Sequence, residues 1–89
     1  MDQLYMLRAF VEAVQHKSFS KAATSLGLTT GSISNAITKL EAALQTRVLH
    51  RNTRSVILTE EAQAYYLSCC RLLEELEEAN YAGKRGRQR

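Results

Sequence analysis

Proline is absent from the chain, so no turn relies on it. Cysteine occurs only as the adjacent Cys69 and Cys70. On a helix such neighbours point about 100° apart, which excludes a relaxed disulfide between them and a metal site built on the pair. No run approaches the roughly 18 apolar residues of a membrane span, and no basic segment leads into an apolar one at the N-terminus. Neither secretion nor membrane insertion is expected, and a reduced, cytoplasmic protein fits. Internal repeats and low-complexity tracts are missing too. The 89 residues form one small domain, able to bury roughly 60 to 65% of its unfolded surface. With no staple visible, oligomerisation is the expected support.

The net charge of +3 becomes informative when divided along the chain. Residues 1–58 carry seven Lys/Arg against three Asp/Glu, residues 59–80 one against six, and residues 81–89 four against none. A basic head, an acidic middle and a basic tail mean that the head, with the tail as a second candidate, approaches a polyanion.

Leu4, Leu7, Val11 and Val14, widened by Phe10, have the spacing of an amphipathic helix beginning after Asp2, a plausible N-cap. Lys17 and Ser18 break the pattern, and Ser20 is the expected cap of a short second helix running to Leu26. Thr29 or Thr30 caps a third, whose stripe is Ile33, Ile37, Leu40 and Leu44. Between the second and third helices, Ala23 supplies the small residue that a steep crossing needs and Gly27 a turn residue tolerant of positive φ. This is the anatomy of a helix-turn-helix, a motif that places one helix in the DNA major groove.

From Val48 the period changes. Residues 48–51 and 56–58 are short and rich in β-formers, separated by polar residues 52–55, which reads as a two-stranded hairpin, the wing of a winged helix-turn-helix. Thr59 is the expected cap of a long fourth helix, with Glu60 and Glu61 in its first turn. That helix is expected to run to about Asn80, since Gly83 is the first strong stop. It carries two apolar lines. One is Ala62, Tyr66, Leu73 and Leu76 with Cys69 or Cys70 between; the other is Tyr65, Cys69, Leu72, Leu76 and Ala79. So broad a surface exceeds what one small domain hides, so one line is expected on the first helix and the other on a second chain. The fold class is mainly α: a winged helix-turn-helix over residues 1–58, a linker and dimerisation helix over 59–80, and a basic tail over 81–89, expected to be disordered.

Opposite the apolar stripe of the third helix lie Gly31, Asn35, Thr38 and Ala42, with Ser32 and Lys39 to one side and Ser34 to the other. Small polar residues let a helix sit close to base edges and hydrogen-bond them, and asparagine can contact adenine in a bidentate way. The same residue types populate ordinary solvated faces; the preceding motif and the following wing favour DNA. The N-terminus of this helix offers free N–H groups to a phosphate. Arg54, at the hairpin tip, is the minor-groove candidate. Arg51 is expected to pair with a phosphate or with a carboxylate such as Glu41. Lys17 and Lys21 are placed for non-specific phosphate contact.

His16 and His50 lack Cys or clustered carboxylates at ligand spacing and read as structural or solvated, so no metal is implied. Glu74, Glu75, Glu77 and Glu78 fall on adjacent faces of one helix and read as a solvated surface rather than an acidic active site. Neither a nucleophile with its base nor a glycine-rich phosphate loop is present. No enzyme and no cofactor are expected.

With these residues in hand, the chain resembles the N-terminal DNA-binding region of the LysR-type transcriptional regulators over residues 4–78. The resemblance rests on Phe10, Ser18-Phe19-Ser20, Ala22-Ala23 and Leu26, then Ser34, Ile37, Leu40-Glu41 and Leu44, then Arg51 and the Leu58-Thr59-Glu60 junction. It implies a dimer whose linker helices pack antiparallel, reading imperfect inverted repeats of double-stranded DNA through successive major grooves while the wings approach the minor groove. By position it makes Thr30, Gly31, Ser32, Ser34 and Asn35 the major-groove contacts and Arg54 the wing contact. Thr38, Lys39 and Arg51 join them from the reading of the residues, and Tyr65, Tyr66, Cys69, Leu72, Leu73 and Leu76 are the expected dimerisation residues. The sequence departs from the family where proline is frequent (Gly31), where glycine is usual (Gln45 and Ala62), where phenylalanine is frequent (Leu49) and where arginine is frequent (Asn35). Family members continue into a two-lobed domain that binds a small-molecule effector; with the sequence ending at Arg89, an effector enters only through such a further domain. The expected function is sequence-specific DNA binding and transcriptional regulation. The rival is a protein-interaction module that forms heterodimers with full-length regulators without specific DNA binding.

Overall fold

A computed structural model gives the fold of residues 2–50 and 55–87, the side chains of 85–87 excepted. Helix α1 spans Gln3–His16, α2 Phe19–Leu26, α3 Thr30–Leu44 and α4 Gln63–Arg87, the last entered through a 3-10 turn at Glu60–Ala62. Helices α1, α2 and α3 pack on one another, and the first half of α4 packs on α1.

Local chemistry fixes the ends of the first three helices. The Asp2 carboxylate accepts the Tyr5 N–H at 2.7 Å and Thr29 Oγ1 the Ser32 N–H at 3.1 Å, the side-chain capping that satisfies an otherwise orphan donor. The cap of α2 is Ser18, not Ser20: its Oγ accepts the Lys21 N–H. The chain arrives at Ser18 from Lys17, which ends α1 in the left-handed region at φ 53°, so the extended residue before the new helix is Ser18, and Ser20 is already helical. Gly27 takes φ 68° at the end of α2, and its N–H and that of Leu28 close back onto the Ala23 carbonyl. That turn lets α3 fold back across α2.

Phe10 of α1, Ile33 and Leu40 of α3, Val48 of the wing and Cys69 of α4 are the largest fully buried side chains. Ala9, Ala13, Ala22, Ala23 and Ala36 are buried between the helices, so the backbones approach closely. Among the described residues the wing is an antiparallel pair of arms joined by one bridge, Leu49 to Leu58. The His50 N–H donates to the Ile57 carbonyl and the Thr59 N–H to the Val48 carbonyl. The expected hairpin tip and the end of its first strand, residues 51–54, lie outside the described residues.

Two expectations about α4 are corrected. The Thr59 side chain does not cap the helix; buried at 4% exposure, its hydroxyl donates to the Arg47 carbonyl at 2.6 Å and so closes the wing's base. The helix also continues to Arg87 instead of stopping near Asn80 and giving way to a disordered tail. Gly83 stops a helix only by turning left-handed, and here it has no positive φ. A helical glycine costs roughly 1 kcal/mol against alanine, too little to end a helix that the remaining cations favour at its C-terminal end.

Candidate nucleic-acid interface

The 3.6-residue period of α3 divides it cleanly. Ile33, Ala36, Ile37, Leu40 and Glu41 are buried, whereas Thr30, Gly31, Ser34, Asn35, Thr38 and Lys39 are exposed and Ser32 is half-buried. All seven sequence-predicted contact residues on this helix thus share its outer surface. Arg51 and Arg54, the two expected from the wing, lie outside the described residues.

The cap shapes the polar end of this surface. Thr29 Oγ1 accepts the Ser32 N–H and donates its own proton to Ser32 Oγ at 2.9 Å. The Ser32 hydroxyl is thereby held as an acceptor and keeps its own hydrogen for an outside group. The N–H groups of Thr30 and Gly31, in the first turn, have no intrahelical partner. Beside them Gly31 leaves open space: a Cβ there would meet only Thr29 Oγ1, at 4.0 Å. The result is a low surface of N–H groups and hydroxyls at the positive end of a helix, with Asn35, Thr38 and Lys39 along the following turns.

The sequence reading missed the part that Glu41 plays in holding the wing to this helix. Its carboxylate is 8% exposed and accepts the N–H groups of Val48 at 2.9 Å and Leu49 at 3.4 Å, with the Arg47 guanidinium 3.9 Å away. A carboxylate one residue beyond Leu40, on the apolar stripe itself, was the available signal. The wing's first arm therefore leaves α3 at an angle set by the recognition helix.

On α4, the residues expected at a second chain divide. Cys69 is corrected: at 1% exposure it belongs to the intrachain core. The Tyr65 and Tyr66 rings, both half-buried, lie 6.0 and 5.8 Å from that of Phe10, and Leu73 packs on the same core. Burial, then the charge and hydrogen bond of Cys69, push the Tyr65 hydroxyl up to about 12. Leu72 is 54% exposed and Leu76 half-buried, and these two carry the second apolar line past the end of the core. His16 pairs with Glu12 at 2.8 Å within α1, while His50 is exposed on the wing. Among the described residues no group of His, Cys, Asp or Glu is arranged to hold a metal ion, and no helix is long and apolar enough to cross a membrane.

Comparison with known proteins places this architecture. Residues 4–63 match the model of the bacterial regulatory helix-turn-helix proteins of the lysR family. The chain is 39% identical over 80 residues to the HTH-type transcriptional activator AaeR of Escherichia coli strain K12, covering 90% of this chain and 26% of that protein. It is 45% identical over 73 residues to an HTH-type transcriptional regulator of Xanthomonas campestris, covering 82% and 21%. The chain thus spans about a quarter of the length of the curated relatives it matches. Among solved structures, the BenM DNA-binding domain in complex with its catB site 1 DNA superposes with a TM-score of 0.87 at 33% identity, covering 94% of both chains. Full-length BenM superposes at 0.84 and 32%, covering 93% of this chain and 27% of that one. The fold is a winged helix-turn-helix with a linker helix, and the chain belongs to the lysR family of bacterial regulatory helix-turn-helix proteins.

Proposed function

We propose that this chain is the DNA-binding and dimerisation part of a transcriptional regulator, which reads an inverted repeat in double-stranded DNA as a homodimer and carries no catalytic activity. The observation that carries the reading is the outer surface of α3: small hydroxyl and amide side chains and first-turn N–H groups that let the helix approach a groove floor, with the longer Lys39 at a following turn. Phosphates would be held at the N-terminus of α3 and by Lys39. Base edges would be read by Thr30, Ser32, Ser34, Asn35 and Thr38 across Gly31, with asparagine suited to adenine. Arg51 and Arg54 would approach the duplex from the wing. The exposed line of Leu72 and Leu76 would pair α4 with a second copy, and the spacing of two half-sites follows from that pairing. The solved BenM complex is with DNA, which supports the same docking here.

Selection of bound duplexes from a randomised pool tests the proposal. An enriched inverted repeat is expected. A pool bound without enrichment would overturn sequence-specific reading and favour the heterodimer-forming module.

A further inference from the structure

We infer that Thr59 is a positioning residue for DNA reading: through the base of the wing it fixes the angle between the recognition helix α3 and the linker helix α4, and with it the half-site spacing that a dimer accepts. The inference rests on the reading of the chain as a dimer joined through α4. Helices α3 and α4 make no close backbone approach to each other; each packs on α1. The packing on α1 is largely apolar, as in the rings of Tyr65 and Tyr66 against Phe10. Apolar burial is non-directional, so it holds the two helices near each other without selecting one angle.

Direction comes from hydrogen bonds to residues 47–49, which are held along both edges. Towards α3, the N–H groups of Val48 and Leu49 donate to the Glu41 carboxylate. Towards α4, the Thr59 hydroxyl donates to the Arg47 carbonyl at 2.6 Å and the Thr59 N–H to the Val48 carbonyl at 3.0 Å. Val48 is thus tied to α3 by its N–H and to the root of α4 by its carbonyl, while its side chain is fully buried. From there the Ala62 N–H donates to the Thr59 carbonyl at 3.2 Å, within the 3-10 turn that opens α4. Glu41, Val48, Thr59 and Ala62 form an unbroken run of directional contacts from the recognition helix to the linker helix.

The length of α4 makes that angle matter. From Thr59 to Leu76, where the second chain would pair, the axis runs roughly 25 Å at about 1.5 Å per residue. A tilt of about 10° at the root would move the pairing point by roughly 4 Å, more than the roughly 3.4 Å between neighbouring base pairs. Within this run the Thr59 hydroxyl can be removed with the least change of shape. Thr59→Val keeps the branched side chain at an extended backbone position and leaves one carbonyl unpaired, whereas Thr59→Ser keeps the hydroxyl.

Binding titrations of the whole chain test the role. The duplexes carry the selected half-site once, or twice as an inverted repeat with the spacer shortened or lengthened by one to three base pairs; helix content and melting temperature are followed for each variant. The parent is expected to prefer one spacing. Thr59→Val is expected to lose roughly tenfold of that preference, on the order of one directional contact, while its affinity for a single half-site stays within about twofold. Thr59→Ser is expected to discriminate like the parent. If Thr59→Val fails to fold, Thr59→Ala, without a branch to crowd the wing, carries the same test. A hydroxyl-free variant that keeps the parent's spacing preference, or one weakened equally on the single half-site and on every spacing, would overturn the positioning role and leave Thr59 a contributor to stability alone. A parent that binds every spacing equally would overturn the inverted-repeat reading itself, and the positioning role with it.

Discussion

The carboxylate of Glu41 on α3 accepts the backbone N–H of Val48 on the wing at 2.9 Å. One side chain therefore couples the direction of the recognition helix to that of the wing, across a junction where the backbone has left helix and not yet formed a bridge. The second acceptance, from Leu49, falls on the residue that bridges to Leu58.

Replacing Glu41 with alanine leaves these two buried N–H groups without their acceptor, each costing about 1–3 kcal/mol, and the expected loss of folding stability is about 2–4 kcal/mol in urea unfolding. Glu41→Gln keeps a carbonyl acceptor and is expected to lose roughly 1 kcal/mol, the difference between a charged and a neutral acceptor. Equal losses would show that the carboxylate is not the wing's tether.

Backbone strain gives a second prediction, of opposite sign. Gln45 ends α3 at φ 53°, a left-handed conformation that disfavours a side chain by roughly 1–2 kcal/mol. Gln45→Gly relieves the strain but enlarges the freedom of the unfolded chain, so a net gain of about 0.5 kcal/mol is expected. Gly27→Ala, at φ 68° with open space around it, is expected to lose about 1 kcal/mol through the backbone alone. Midpoints of chemical unfolding decide both.

What was legible in the sequence was what is settled locally. The stripe of Ile33, Ile37 and Leu40 fixed which side of α3 faces outward, and Asp2 and Thr29 cap helices because their oxygens reach an N–H three residues on. Ser18 and Ser20 offer the same hydroxyl, and only the left-handed Lys17 decides between them. Thr59 looks like a cap by its neighbours, yet its hydroxyl is claimed by Arg47, twelve positions earlier, once the wing folds back. Likewise, Cys69 reads equally well on either apolar line of α4; only its burial in the folded chain assigns it to the intrachain core. The outer face of α3 was therefore readable, while the contacts that aim the wing, which join distant segments, were not.

Alkaline pH provides a third test. Burial raises the Tyr65 hydroxyl from 10.0 to about 12 and pushes the Cys69 thiol up from 9.0. In the unfolded chain both groups ionise first, so the folded state holds more protons over that range and loses stability as pH rises. Stability is expected to be fully present below about pH 9 and to fall progressively through about pH 12. The Tyr66 hydroxyl, which burial also raises, adds to the fall; Tyr65→Phe removes one of these ionisations and should flatten it without abolishing it. A variant whose stability drops as steeply as the parent's between pH 10 and 12 would place the alkaline transition elsewhere.

The outer surface of α3 yields the last prediction, because Asn35 and Lys39 are neighbours on it with different chemistry. Lys39 is a point charge suited to phosphate; Lys39→Ala is expected to weaken binding to all duplexes alike and to reduce the slope of log affinity against log salt by about 0.9. Asn35 carries no charge, so Asn35→Ala is expected to leave that slope unchanged. Its loss should fall on the preferred duplex alone, roughly 1–3 kcal/mol of discrimination at one base pair of each half-site. Binding titrations on preferred and scrambled duplexes at several salt concentrations resolve the two effects. If Asn35→Ala changed the salt slope while Lys39→Ala changed base preference, the helix would sit rotated in the groove relative to this assignment, with the apolar stripe still buried but Lys39 turned toward the bases.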